Sequence, residues 1–198
     1  MASGLEYRRE NYSTVAGEPA SYSAGTFNGD IGAQGAPGLT PDDEADINRD
    51  VMSVYVDASA NVTDRIFINL AGRYEHYSDF GDALTGKASA IYEISPQLSF
   101  RGAVSNNLRS PALSQMAFSD RTINFGTNRT LVTTRTVPVD SAIAQALGAE
   151  DLAPEKSFNL SAGILSRVND NLSLSFDAYR IRVNGRITLS DRLFGPAL

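Results

Sequence analysis

The sequence offers few groups that could do chemistry. Among 198 residues there is one histidine, His76, and no cysteine. A lone imidazole with no thiol or second histidine makes neither a nucleophile pair nor a zinc ligand set. At the end of an alternating segment, His76 reads as structural or interfacial. The acidic run Asp42-Asp43-Glu44, with Asp46, supplies hard oxygen ligands of the kind Ca²⁺ takes. It lacks the ordered ligand spacing of a calcium loop and reads as a solvated loop. No glycine pattern follows a strand and opens a helix as a phosphate loop requires. The expectation is a protein that is not an enzyme, with no metal and no cofactor.

Two other groups of polar residues are better leads. Arg121, Asn124, Asn128, Arg129 and Arg135 fall in one aperiodic stretch. Their donors suit an anionic or oxygen-rich ligand. Arg65, Arg73, Lys87, Glu93, Arg101 and Arg167 stand instead inside or beside regularly alternating segments, where their role depends on which way those segments face.

The alternation has period two. In 65–77, Ile66, Ile68, Leu70, Gly72 and Tyr74 alternate with Arg65, Asn69, Arg73 and Glu75, the pattern of a strand with one apolar and one polar face. The same split recurs in 51–62, 84–95, 98–108, 155–168 and 171–178. With the less regular 4–12, seven strands are predicted. Beyond Tyr179 the apolar residues move to odd positions (Ile181, Val183, Ile187, Leu189), which predicts a bulge or a change of surroundings. About twelve residues at roughly 3.3 Å each make about 40 Å. Tilted, that length crosses the hydrocarbon of a bilayer.

The connections sort by length. Around 61–65, at 95–97 and at 169–171 they are tight; 78–83 is short, and 13–48 and 110–154 are very long. Along an antiparallel meander the tight turns fall at one end and the long loops at the other, as in outer-membrane barrels. Within the second loop, Asp140 is the predicted N-cap of a short helix ended by Gly148. Arg109-Ser110-Pro111 marks a strand exit, since proline has no ladder donor.

Composition permits this reading. Hydrophobic residues are 42% and mean hydropathy is −0.20, an average that strict alternation leaves unremarkable. No apolar run is long enough for a membrane helix. A formal charge of −6 and a pI near 4.8 argue against a nucleic-acid partner. Residues 1–12 contain no apolar signal core, so the chain reads either as a soluble protein or as one lacking its N-terminal part.

The segments Gly72–Gly81, Leu98–Gln115, Leu152–Ile164 and Leu172–Ser190 carry a family likeness. Their marks are the aromatic-rich hairpin at Arg73–Gly81, Arg109-x-Pro111 after a strand, and Leu152-x-Pro154-Glu155-x-Ser157 opening the next. Tyr179-Arg180-Ile181 followed by Arg186-Ile187 is a fourth. In this order they resemble the C-terminal barrel of TonB-dependent outer-membrane receptors. The resemblance implies an all-β fold: an antiparallel meander of about seven long strands, part of a transmembrane barrel of roughly 22. That family's plug domain, TonB box and aromatic closing residue have no match here, so 1–198 is expected to be a partial barrel domain with long outer loops at about 13–48 and 110–154.

It further implies a Gram-negative outer-membrane location and uptake of a scarce ligand (a siderophore, vitamin or saccharide). The expected partners are the lipid bilayer, a small-molecule ligand, and the TonB complex acting through the plug. Arg65, Arg73, Lys87, Glu93, Arg101 and Arg167 would face the lumen, because a cation facing lipid at midplane costs about 2–4 kcal/mol. The five loop residues would contact ligand. A soluble β-rich module binding carbohydrate or another ligand is the alternative.

Overall fold

The computed structural model describes residues 1–24, 37–125 and 130–193. Nine strands follow one another: β1 Ala2–Thr14, β2 Ala45–Thr63, β3 Ile66–Tyr77, β4 Gly81–Ser95, β5 Leu98–Arg109, β6 Asp120–Phe125, β7 Leu131–Thr136, β8 Glu155–Asn169 and β9 Leu172–Asn184. Three short helices accompany them: α1 Pro19–Tyr22, α2 Leu113–Ala117 and α3 Ala142–Ala146. Seven strands form one antiparallel sheet in the order β1-β2-β3-β4-β5-β8-β9, and β6-β7 is a separate hairpin. The meander has no crossover, as two-residue turns between neighbouring strands require.

Register settles the facing. Directly opposed residues of an antiparallel pair share a face, and from β2 to β9 even-numbered residues oppose even ones. One rung reads Ile66, Tyr92, Phe100, Ile164, Phe176. Ile68 is therefore on the opposite face from Arg73, and Arg73, Lys87, Glu93, Arg101 and Arg167 share one face. Arg65 lies in the turn before β3.

The three tight turns repeat one device. Thr63 Oγ1, Ser95 Oγ and Asn169 Oδ1 each accept from the backbone N–H two residues on, at 3.2, 3.3 and 2.9 Å. Each turn follows a register shift in its incoming strand. Neighbouring hairpins are then stitched together, Glu93 N donating to Arg65 O (2.8 Å) and Arg167 N to Gln97 O (2.7 Å). Measured from the Ile66–Phe176 rung, successive turns recede by about two residues per hairpin. With about 3.3 Å per residue and 4.8 Å between strands, the strands slant by roughly 35°, in the range closed barrels use.

The register from Lys156↔Asn184 to Arg167↔Ser173 is unbroken, so the period shift near Tyr179 is no bulge. Arg180 and Arg182 lie opposite Leu160 and Phe158, on the same face as the apolar residues before them. The strand changes surroundings, not geometry. β4 begins at Gly81, whose φ of +87° closes the turn after Tyr77. The N-cap of α3 is Ser141, not Asp140: Ser141 Oγ accepts from Ala144 N at 3.2 Å. Asp140 precedes the cap by one residue, so its carboxylate is one position too early. Gly148 (φ +87°) ends the helix.

Two compact units result. The first comprises Met1–Arg9, Arg49–Ser110 and Ala153–Arg186; the second Glu10–Asn48, Pro111–Leu152 and Ile187–Leu198. The first has little interior. Its buried apolar residues are Val51, Tyr77 and Ala83, with Phe80 and Leu108 against them. Beside them Arg49, fully buried, donates twice to Asp79 Oδ2 (2.8 and 2.6 Å) and lies over the Tyr77 and Phe80 rings.

The apolar even face of the sheet is exposed. Leu84 and Phe176 are each 73% exposed, and Val54, Leu70, Phe100, Leu160 and Leu174 are likewise uncovered. More than a dozen half-exposed apolar side chains forgo on the order of ten kcal/mol of burial in water.

Candidate functional site

The second unit is built around one buried carboxylate. Asp43, 2% exposed, ends the 3₁₀ turn Pro41–Asp43. Its oxygens accept from Thr40 N (3.0 Å), Thr40 Oγ1 (2.6 Å), Ser119 Oγ (2.5 Å) and Arg135 Nη2 (3.0 Å). Burial pushes its pKa up, but these donors outweigh burial and hold the carboxyl well below the usual range. The acidic run is therefore not a solvated loop at this position. Its other members diverge: Asp42 pairs with Arg121 (3.7 Å), Glu44 Oε1 accepts from Ala16 N, and Asp46 Oδ1 from Asn11 Nδ2.

Arg121 and Arg135 face each other across β6 and β7. Like charges in opposed positions are destabilising; here each guanidinium has its own carboxylate, Asp42 or Asp43. The rest of the hairpin is held by hydroxyls and an amide, with Thr122 and Thr134 2.9 Å apart and Asn124 Nδ2 donating to Thr134 Oγ1 at 2.8 Å. Asn124 Oδ1 accepts from Arg192 Nη2 (3.2 Å). The structure thus gathers Arg121, Asn124 and Arg135 on one hairpin. Asn128 and Arg129 lie outside the described residues.

Beside this network lies a cavity of about 310 Å³. Asp42, Glu44, Ser119, Arg135 and Ser141 supply its polar wall, and Ala117, Val137, Pro138 and Ile143 its apolar one. Such a lining can hold a small polar molecule that both donates and accepts. The β6–β7 hairpin and the role of Asp43 were missed by sequence reasoning. The signal for the hairpin was the weak alternation of Arg121, Ile123 and Phe125 with Thr122 and Asn124.

On the polar face of the sheet, Arg73 bridges Glu6 and Glu75, both at 2.9 Å, and donates to Ser53 Oγ. Arg101 holds Asp177 with two donors, at 2.9 and 2.6 Å. Gly163 stands between them in the register, and a Cβ there would collide with the Asp177 carboxylate. Glycine lets the pair close over an intervening strand. Lys87, Glu93 and Arg167 take part in none of the ion pairs among the described residues. His76 Nδ1 lies 2.7 Å from Asp82 Oδ1, which also accepts from Tyr74 Oη at 2.8 Å; all three are exposed.

The family model for the β-barrel of TonB-dependent receptor-like proteins matches residues 1–197. No curated protein matches the chain. Among solved structures, the siderophore receptor PirA from Pseudomonas aeruginosa superposes with a TM-score of 0.62 at 16% identity, over 77% of this chain and 27% of that one. PirA from Acinetobacter baumannii gives 0.61 at 16%, over 91% and 24%. The ferric enterobactin receptor PfeA from Pseudomonas aeruginosa, in a mutant form, gives 0.59 at 12%, over 91% and 23%. The chain thus spans about a quarter of these receptors' length. A slanted meander with an exposed apolar face, matched over nearly its full length by the family model, is a piece of a membrane barrel: this chain belongs to the TonB-dependent receptor family, a family of receptors and transporters rather than enzymes, and forms part of its β-barrel.

Proposed function

We propose that residues 1–198 are a seven-strand sector of an outer-membrane TonB-dependent receptor that imports a scarce ligand of the siderophore class. The even face meets lipid, and the odd face lines the lumen. Arg65, Arg73, Lys87, Glu93, Arg101 and Arg167 are then lumen residues. The long loops at about 13–48 and 110–154 are extracellular, and the hairpin and cavity they carry are where ligand is met. The location is the outer membrane of a Gram-negative cell. Transport energy comes from the TonB complex acting through a plug domain elsewhere in the receptor.

One observation carries this reading. The apolar face of the sheet is left exposed, while every lysine, arginine and glutamate of β3, β4 and β5 lies on the other. A water-soluble module would bury the first and expose the second. The siderophore class rests on the receptors named above, two of them siderophore receptors and one a ferric enterobactin receptor.

The chain contains no cysteine, so single cysteines in the complete receptor report facing cleanly. Cysteines at Leu70, Ala90 and Leu174 should react with a lipid-phase reagent, and those at Ser89, Ser105 and Ser161 with a water-soluble maleimide. Labelling without regard to parity would refute the membrane reading. Binding assays with ferric siderophores, a corrinoid and a saccharide then test the ligand class; binding of the corrinoid or saccharide alone would overturn it.

A further inference from the structure

The exception to the apolar face is ordered. Strands β2 to β5, β8 and β9 place three cations at even positions, Lys156, Arg180 and Arg182, and all other lysines and arginines in them at odd ones. The three are neighbours. Arg182 lies opposite Phe158, Arg180 opposite Leu160, and Lys156 one even position beyond Phe158. Arg182 therefore lies about 7–8 Å from Lys156 and from Arg180 on this face, and Lys156 and Arg180 stand roughly twice that apart. All three are exposed, and none joins an ion pair among the described residues. Arg182 Nε makes only a 3.3 Å contact to Asn184 Oδ1.

Among the described residues of the strands they stand on and the one beside, no carboxylate shares their face. On β5, β8 and β9 the acidic residues are Glu155 and Asp177, both odd and engaged with Arg109 and Arg101. The triad sits at the end of the strands away from the tight turns, with Phe158 level with Arg182 and Leu160 level with Arg180 on the same face. Three clustered cations, in no ion pair among the described residues, at the upper rim of a lipid-facing surface match anionic groups held at that height.

We propose that Lys156, Arg180 and Arg182 form a binding site for the phosphate of a lipid headgroup in the outer leaflet, with the acyl chains lying over Phe158, Leu160 and the adjoining even face. The site rests on the membrane reading above but adds a specific lipid class. Its guanidiniums suit bidentate phosphate contacts, and the lysine adds a point charge.

The test uses the complete receptor reconstituted in phosphatidylcholine nanodiscs doped with phosphatidic acid. Bound lipid is counted by native mass spectrometry and affinity read by competition. Replacing all three cations by glutamine (K156Q, R180Q, R182Q) should weaken phosphatidic acid binding by on the order of a hundredfold at low salt, and the advantage should shrink as salt rises. The R180K/R182K variant, which keeps the charges, should retain most of it. Equal retention of phosphatidic acid by wild type and triple glutamine variant would overturn the proposal. Competition by inorganic phosphate at equal potency would also overturn it, marking a soluble-anion site. A receptor that never inserts into the nanodisc would instead overturn the membrane reading, so the two failures are told apart.

Discussion

The sheet unit and the loop unit place polarity in opposite ways. In the sheet, apolar side chains such as Leu84, Leu174 and Phe176 stand exposed, while charges such as Arg73 and Arg101 are drawn into ion pairs on the other face. In the loop unit, the carboxylate of Asp43 is fully enclosed, and apolar Phe125 is 77% exposed. Strand ladders satisfy every backbone group whatever the side chains do, so a sheet can present a greasy face to lipid. Loops have no ladder. Their backbone and turns must be pinned by side-chain hydrogen bonds, and a buried charge with four donors is a strong pin.

That contrast can be broken by experiment. The largest effect is expected from deleting 120–135 in the complete receptor. Ligand binding should be abolished while the barrel still assembles, since no strand of the main sheet is touched; unaltered uptake would move recognition to other parts of the receptor. Next is a pair of substitutions one residue apart on β4. Ala90→Arg should cost about 2–4 kcal/mol of folding free energy in a bilayer, measured by denaturant unfolding from vesicles. Ser89→Arg should cost a small fraction of that. Equal costs would erase the distinction between faces.

Asp43→Asn should loosen the loop unit alone, by about 1–3 kcal/mol for the unsatisfied donors left behind. Hydrogen exchange at 40–44, 119–125 and 131–136 should rise while β3–β5 stay protected. The sign of the pH effect follows from the depressed folded-state pKa of Asp43. Its stabilisation is complete above the ordinary carboxylate range, near pH 4, and is lost as pH falls below that range toward the folded-state value. Loop protection should therefore persist at pH 5 and fade only in stronger acid, and the asparagine variant should lack that acid step. The smallest effect is expected from Gly163→Ala, which displaces Asp177 from Arg101. Register should survive, with loss of the bridge visible in a crystal structure and a slight fall in melting temperature.

Much of this was legible in the residues. The alternation of Ile66, Ile68 and Leu70 with Asn69 and Arg73 foretold both a strand and its facing, because a period of two leaves no other way to gather like side chains. Thr63, Ser95-Pro96 and Asn169-Asp170 marked turns through side chains that cap their own backbone. The hairpin β6–β7 was not legible, since six-residue strands of Thr, Asn and Arg have little contrast between faces. Nor was the fate of Asp43. Its donors Ser119 and Arg135 are 76 and 92 residues away, and no local pattern announces a partner at that distance.

Local chemistry, then, is what the sequence determined by itself: strand, turn, facing and the family they spell. Tertiary structure alone decided which charges are spent. It matched Arg121 and Arg135 to Asp42 and Asp43, threaded the Arg101–Asp177 bridge over Gly163, and left Lys156, Arg180 and Arg182 together outside every ion pair among the described residues. Period and propensity act between neighbours in the chain. An ion pair, or the lack of one, depends on which distant strands the register brings side by side.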